Sequence, residues 1–433
     1  MTGMSNGNNA QEWHYLAGME VRGPVSLEQL SGLIAAGTLP ETVLVSSKDA
    51  PQWRPASSVV ITVRAVAVPE RPTPSPQLVG ARPVGTSLAE DLFYGISDTL
   101  QTVAGTEKLE GFSLKEMFSQ IFQRRTAAEM EEYLIVGTPR TTPPISEVQT
   151  GWPRPWLFAR FLLYFGLIYF AFVFAYQQFH NANLIPGLIL MGAFSGPMAT
   201  LILFFELNTP RNVSLYRLAV LVSLGGIVSL FISLIGYGVT NLNWLGASAA
   251  GIVEELGKLA ALILIVRGPR YKYILNGMLF GAAVGAGFAA FESAGYAFQV
   301  IAFYKSTTVM ERTILLRGML APLMHVAWTA MVGAALWRVK KDGYVTLQVL
   351  IDPRFYRVLL LAIFLHMFWN APLPPNLYLK EFVLGAAAWF VIWGLVQQGL
   401  RQVRDEQRAV AAAAISGTPA QASQSGSSSI SAP

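Results

Sequence analysis

The chain has 433 residues, 53% of them hydrophobic and 13% charged, and a net charge of +5. The apolar residues concentrate between residues 155 and 400, as in a polytopic membrane protein, and Lys and Arg gather at the ends of apolar segments. No dense basic cluster calls for nucleic acid, and the absence of cysteine excludes disulfides and thiolate metal sites, so any metal must rely on His and carboxylates.

The opening "MTGMSNGNNAQEW" lacks the basic start and apolar core of a signal peptide, so the N-terminus is expected to stay in the cytoplasm. From residue 12 the pattern predicts a short strand, a turn at Gly23-Pro24, a helix opening at Ser26 with Leu27, Leu30, Leu33 and Ile34 at helical spacing, and two further strands. With Trp13, Tyr15, Gly23-Pro24, Gly37 and Trp53 as its aromatic and turn residues, segment 12–62 resembles the bacterial GYF-like domain. The resemblance implies a small α+β cytoplasmic adaptor that binds proline-rich peptide through exposed aromatics. A purely structural use of those aromatics, in a small core, is the competing reading.

Residues 63–87 include "VPERPTPSPQLVGARP" and read as an extended Pro-rich linker, itself a candidate ligand for the preceding domain. Residues 88–150 form an amphipathic cytoplasmic helical region. Leu114, Met117, Phe118, Ile121 and Phe122 share one helical face, Ser113 and Glu116 make a capping box, and Arg124 and Arg125 follow. This region either lies on the inner membrane surface or packs against the cytoplasmic ends of the spans. Eight spans are expected between residues 155 and 400, at about 155–176, 184–207, 217–239, 245–266, 274–300, 315–338, 356–372 and 378–400. Lys and Arg lie before the first span and after the second, fourth, sixth and eighth, which puts both termini inside, in a cell inner membrane. The tail, 401–433, is small and polar and should be disordered toward its end. The fold class is thus an all-α polytopic membrane bundle of about eight transmembrane helices with a small N-terminal α+β domain.

Charged side chains deep in a bilayer are costly and mark a site or a buried pair. Here Glu254, Glu255 and Lys258 fall in the fourth span, Glu292 and Tyr296 in the fifth, His325 in the sixth, and His366 and Asn370 in the seventh. At 1.5 Å rise per residue the loop-charge topology brings Glu254, Glu292, His325 and His366 to roughly 9–15 Å below the outer surface. Lys258 lies one turn from Glu254 and Glu255 and can neutralise either. Gly277, Gly281 and Gly285, spaced by four, allow a close helix contact. Glu206 reads as an interfacial residue at the end of the second span. A carboxylate held with imidazoles in a dry cavity can take a proton from water, and His and Asn can donate to the resulting oxyanion. Two His with one or two Glu can also bind zinc, although no HExxH motif is present.

The motifs "EELGK", "FESAGY", isolated His325 and "HMFWN" resemble the PrsW family of intramembrane proteases, within the group that includes type II CAAX prenyl endopeptidases. The resemblance covers roughly residues 155–400. It implies glutamate-dependent hydrolysis of membrane-anchored proteins, such as anti-sigma factors. Glu254 would activate water with His325 assisting, His366 and Asn370 would form the oxyanion site, and Glu255 and Lys258 would support the pair. Glu292 and Tyr296 match a motif whose role the resemblance does not define. No cofactor is predicted, with a divalent metal such as zinc the alternative. The competing functions are a non-catalytic scaffold of the same fold and a transporter with a proton relay. The latter is disfavoured because the polar residues sit in one leaflet.

Overall fold

A computed structural model describes residues 12–17, 20–35, 39, 43–47, 50–56, 88–266, 268–372 and 379–416, divided between a unit at 1–85 and a unit at 86–433. In the first unit, strands β1 (Glu12–Ala17), β2 (Glu20–Ser26), β3 (Leu44–Ser47) and β4 (Ala50–Pro55) pair antiparallel in the order β2-β1-β3-β4, and helix α1 (Leu27–Ala35) follows β2. Ser26 opens that helix as expected. Its hydroxyl accepts from the Gln29 amide, and the Gln29 side chain accepts from the Ser26 N–H, closing a capping box. Trp13, Leu30, Val43, Val45 and Ala56 form the core, with Tyr15 packed partly against it. Trp53 remains 41% exposed, so the two tryptophans have different duties. Gly37, the segment 63–87 and the tail beyond 416 lie outside the described residues.

The second unit begins with α2 (Leu88–Ala104), α3 (Leu114–Met117) and α4 (Ala127–Leu134). The helix expected through Phe122 stops at Met117, which is buried, while Phe122 is 95% exposed. Ser113 accepts from the Glu116 amide, but the Glu116 carboxylate pairs with Arg154 and leaves the box half closed. A box that the sequence reading passed over, Thr126 with Glu129, opens α4 instead. The region packs on the membrane bundle, with Phe93 and Phe112 against Phe390 and Trp393.

The membrane helices are α5 (Leu157–Phe179), α6 (Ile185–Leu207), α7 (Leu215–Val220) continued by a π-turn into α8 (Gly226–Val239), α9 (Ala249–Ile265), α10 (Ile274–Tyr304), α11 (Thr307–Leu320), α12 (His325–Lys340), α13 (Leu347–Leu350, a single turn), α14 (Pro353–Asn370) and α15 (Leu379–Ser416). Among the described residues, six segments are long and apolar enough to cross a membrane: 157–179, 182–207, 215–239, 274–304, 307–340 and 379–414. The eight expected spans thus become six by length and composition. The two that fall short, α9 with 17 residues and α14 with 18, are the helices that carry Glu254, Glu255, Lys258 and His366. Helix α9 is largely enclosed by neighbours, whereas α14 buries one face with His366 and exposes Leu360, Phe364 and Phe368 on the other.

At the centre is α10, 94% buried along its most apolar stretch, and its most extensive partner is α12. Along this seam the backbone of one helix meets that of the other. A Cβ at Gly281 would lie 2.1 Å from the Thr329 carbonyl oxygen, and one at Gly285 would lie 2.5 Å from that of His325. The expected sixth span is broken by a 3₁₀ turn, Ala321–Leu323, and non-helical Met324, so His325 opens a new helix. Pro322 in that turn lacks an N–H and breaks the run. Helix α15 runs 38 residues, past the expected end at 400. Arg401 pairs with Glu107, and Gln407 donates to the Ile145 and Val148 carbonyls, which fixes the preceding belt of residues to it.

Glu206, next to the last residue of α6, is buried in the protein. Its carboxylate accepts from the amides of Trp156 and Leu157 at 2.7 and 2.9 Å and of Phe158 at 2.9 Å, capping the start of α5, where Trp156 offers no side-chain cap. Glu206→Ala would leave three amides without this acceptor. It is expected to destabilise the detergent-solubilised protein by about 2–3 kcal/mol, read as a lowered apparent melting temperature, with Glu206→Gln intermediate.

Candidate active site

Four helices bring the polar residues together. Residues 254, 255 and 258 sit at i, i+1 and i+4 on α9 and face inward, all three buried. Lys258 has no exposed surface. Its Nζ lies 2.6 Å from Glu255 Oε1, 2.9 Å from His325 Nδ1 and 4.4 Å from the centre of the Phe288 ring. An ammonium only donates, so the Nδ1 of His325 accepts, and the hydrogen of that ring sits on Nε2, which is 3.0 Å from Glu292 Oε2.

His366, from α14, is held with the opposite orientation. Its Nδ1 lies 2.9 Å from Glu255 Oε1, a carboxylate oxygen already paired with Lys258, so Nδ1 donates and Nε2 keeps its lone pair. That Nε2 faces Glu254 Oε2 at 3.8 Å. The imidazole is stacked on Trp328, with ring centres 4.6 Å apart, and lies edge-on to His325 at 4.9 Å.

Glu254 is the carboxylate with a free oxygen. Oε1 accepts from the Tyr237 hydroxyl at 2.9 Å, whereas Oε2 is buried and has no hydrogen-bond partner. One donor atom each from Glu254, His325 and His366 lie within 4.8 Å of one another. The charges are uneven. Lys258 pairs with Glu255 and Arg317 with half-buried Glu292 at 2.5 Å, which leaves Glu254 without a cation in ion-pair contact among the described residues.

Of the residues singled out by sequence, Glu254, Glu255, Lys258, Glu292, His325 and His366 share one connected network. Tyr296 stands at its edge, 46% exposed, under the Arg317 guanidinium at 4.5 Å. Asn370 ends α14, half-buried one turn from His366, and makes no hydrogen bond to the group. In the tautomer set by Glu255, His366 has no hydrogen on Nε2 to offer an oxyanion, so the donor role expected of it does not fit this arrangement. Sequence reading missed Tyr237, Arg317 and the unpartnered Nε1–H of Trp328, which is buried beside both imidazoles. Arg317 carried a signal, since it is a charged residue inside an expected span; Tyr237 lies near a span end, where tyrosine is ordinary.

Residues 186–396 match the family model described as PrsW family intramembrane metalloprotease, and residues 13–60 match that of GYF domain 2. No curated protein and no solved structure matches the chain. The first match starts within α6 and leaves α5 outside it.

Removing Lys258 alone would strand Glu255 in the apolar bundle. Lys258→Met is expected to cost about 3–5 kcal/mol, whereas Lys258→Met with Glu255→Leu removes both charges and recovers much of that loss. Unfolding of the detergent-solubilised variants, followed by intrinsic fluorescence, measures both.

Proposed function

Because the membrane region of this chain belongs to the PrsW family of intramembrane proteases, we propose that Glu254 accepts a proton from the water that attacks a peptide bond of a membrane-anchored protein. The observation that carries this reading is Glu254 Oε2, buried, without a partner and 3.8 Å from the free nitrogen of His366. A purely structural ion pair would leave no such oxygen, because an unsatisfied buried carboxylate is expensive. The same point separates this reading from a non-catalytic scaffold.

The family description implies a metal ion, and the donor chemistry fits one. In that second reading Glu254 Oε2 is a ligand instead of the proton acceptor: Glu254, His325 and His366 would hold the ion, which when bound would polarise the carbonyl of the scissile bond. Two of the three donors are already prepared: the orphaned Glu254 oxygen and the His366 nitrogen, whose other ring nitrogen is bound by a carboxylate, the usual support of a ligating imidazole. The third, His325, has both ring nitrogens engaged, by Lys258 and Glu292, and must release one of them.

The remaining residues keep the group in register. Lys258 holds Glu255 as an acceptor, so that Glu255 fixes the His366 tautomer. Tyr237 occupies Oε1 of Glu254 and leaves Oε2 for chemistry. Asn370, with an amide one turn from His366, is the donor to the developing oxyanion. Tyr237 and Tyr296, 41% and 46% exposed, border the group where a membrane-anchored chain can approach. We place the substrate among membrane-anchored regulators of the anti-sigma type, in an inner membrane with both termini cytoplasmic. Trp53 of the first unit is the contact for a proline-rich peptide.

Cleavage of a membrane-anchored reporter by purified protein in lipid tests this. Glu254→Gln is expected to lower the rate at least about 100-fold; a folded variant that cleaves as wild type overturns the assignment. Metal content of the same two proteins separates the roles. An ion retained by Glu254→Gln assigns Glu254 to the proton, and an ion lost assigns it to the ion.

Tyr237→Phe keeps the ring and removes only the bond to Oε1. A fall in kcat of about 10- to 100-fold with unchanged metal content is expected, read in the same reporter assay.

A further inference from the structure

Helix α5 stands at the margin of the bundle, with 11% of its most apolar stretch buried, and packs on α6. Between α5, α6 and α11 runs an apolar groove of about 570 Å³, lined by Leu163, Gly166 and Leu167 of α5, Ala199 and Leu203 of α6, and Met319 of α11. That size is ordinary for a small-ligand cleft, about 300–1,000 Å³. Near the middle of α5, Tyr169, which also lines the groove, donates its hydroxyl to the Glu311 carbonyl and ties α5 to α11.

The near end is basic. Arg160 lies at i, i+3 and i+7 with Leu163 and Leu167, on the ridge that borders the groove, one turn inside the start of α5. Its guanidinium carbon stands 4.9 Å from the Trp156 ring centre, and that of Arg125 stands 5.2 Å from the same ring. Both converge on Gln123: Arg160 donates to its carbonyl at 2.7 Å and Arg125 to its side chain at 3.1 Å. Exposed Arg124 and Phe122 adjoin them.

Among the described residues, none of Arg124, Arg125 and Arg160 makes an ion pair with a carboxylate. The nearby acids are engaged elsewhere: Glu129 closes the cap of α4, and Glu206 caps α5. The Nε of Arg125 is buried and has no partner. Arg125 also donates to Gln120 and Arg160 to the Met130 sulfur, but these partners are neutral. Guanidiniums without a carboxylate partner, stacked on an indole at a membrane boundary, call for an anion, and the groove beyond them calls for a hydrocarbon chain.

We propose that this groove binds an anionic phospholipid, its headgroup on Arg125 and Arg160 and an acyl chain between α5, α6 and α11. Charge complementarity selects this occupant over a transmembrane peptide, which would fill the groove and leave the arginines unpaired. The arginines and α5 lie outside the family match, whereas the α6 and α11 walls of the groove lie inside it.

Two changes test the two halves separately. Arg125→Gln with Arg160→Gln removes the charge. Gly166→Leu narrows the groove at a position where an added Cβ meets nothing within 4 Å, so the fold is spared. Full-length protein is titrated with nanodisc-derived phosphatidylglycerol or phosphatidylcholine, with retained lipid read by native mass spectrometry and thermal stabilisation in parallel. Wild type should prefer phosphatidylglycerol, and the double variant should lose that preference by on the order of 10- to 30-fold, from about 1 kcal/mol per arginine. Gly166→Leu should weaken retention of phosphatidylglycerol while free inorganic phosphate fails to compete for it. Arg125→Lys with Arg160→Lys should keep most of the preference. Equal retention of the two lipids by wild type overturns the proposal. So does unchanged phosphatidylglycerol retention in Gly166→Leu, or impaired reporter cleavage in that variant with its lipid retention intact, which would place a peptide in the groove.

Discussion

A lysine with no exposed surface inside an apolar bundle must find an acceptor for each of its three hydrogens, and Lys258 finds a carboxylate, an imidazole and the face of a phenyl ring. Each acceptor comes from a different helix: Glu255 from α9, His325 from α12 and Phe288 from α10. The ammonium therefore fixes three helices relative to one another and decides which nitrogen of His325 carries hydrogen. Through Glu255 it decides the same for His366. The two imidazoles end up with opposite tautomers, each giving its hydrogen to a carboxylate, Glu292 for His325 and Glu255 for His366. Desolvating that charge is costly, and only a complete set of partners makes it tolerable.

The chemistry falls where this network is left incomplete. Lys258 and Arg317 each balance one carboxylate, and the third, Glu254, is held at one oxygen by the neutral hydroxyl of Tyr237. Its other oxygen is buried, unpartnered and turned toward a lone pair on His366. In a low-dielectric interior such an atom has a strong affinity for a proton or a cation. The contrast with two other polar groups is plain: buried Asn208 and Asn276 bond with half-buried Asn212, and Glu206 is filled by three amides.

Much of the group was legible in the sequence because each member violates its surroundings: a carboxylate pair, a lysine and two histidines in apolar runs have few bland explanations. The four-residue glycine spacing was legible for the same reason, since it leaves a bare stripe on a helix. Other features depend on what the chain brings together from afar. Glu206 stands 48 to 50 residues from the amides it caps, so no local pattern marks it. Tyr237 resembles any tyrosine near a membrane boundary, and its meaning comes from Glu254 on the next helix. The two expected spans outside the six are α9 and α14, short helices whose charged and polar residues lower their apolar character. In the amphipathic region, the helical face drawn through Phe122 ran past Met117, where the helix ends.

The glycine seam between α10 and α12 limits how the molecule can move. Side chains that interdigitate can yield by changing rotamer, but at Gly281 and Gly285 the contact is main chain against main chain and has no such freedom. The pair can shift only by a register step, and one full turn would carry His325 about 5.4 Å from Lys258. The other half of the broken span, α11, which meets α12 through the non-helical residue Met324, is held in the same way against α6, where a Cβ at Gly196 would fall on the Gly318 carbonyl. Both halves of the broken span thus rest on main-chain contacts with a neighbouring helix, and the backbone departs from helix between them at Met324.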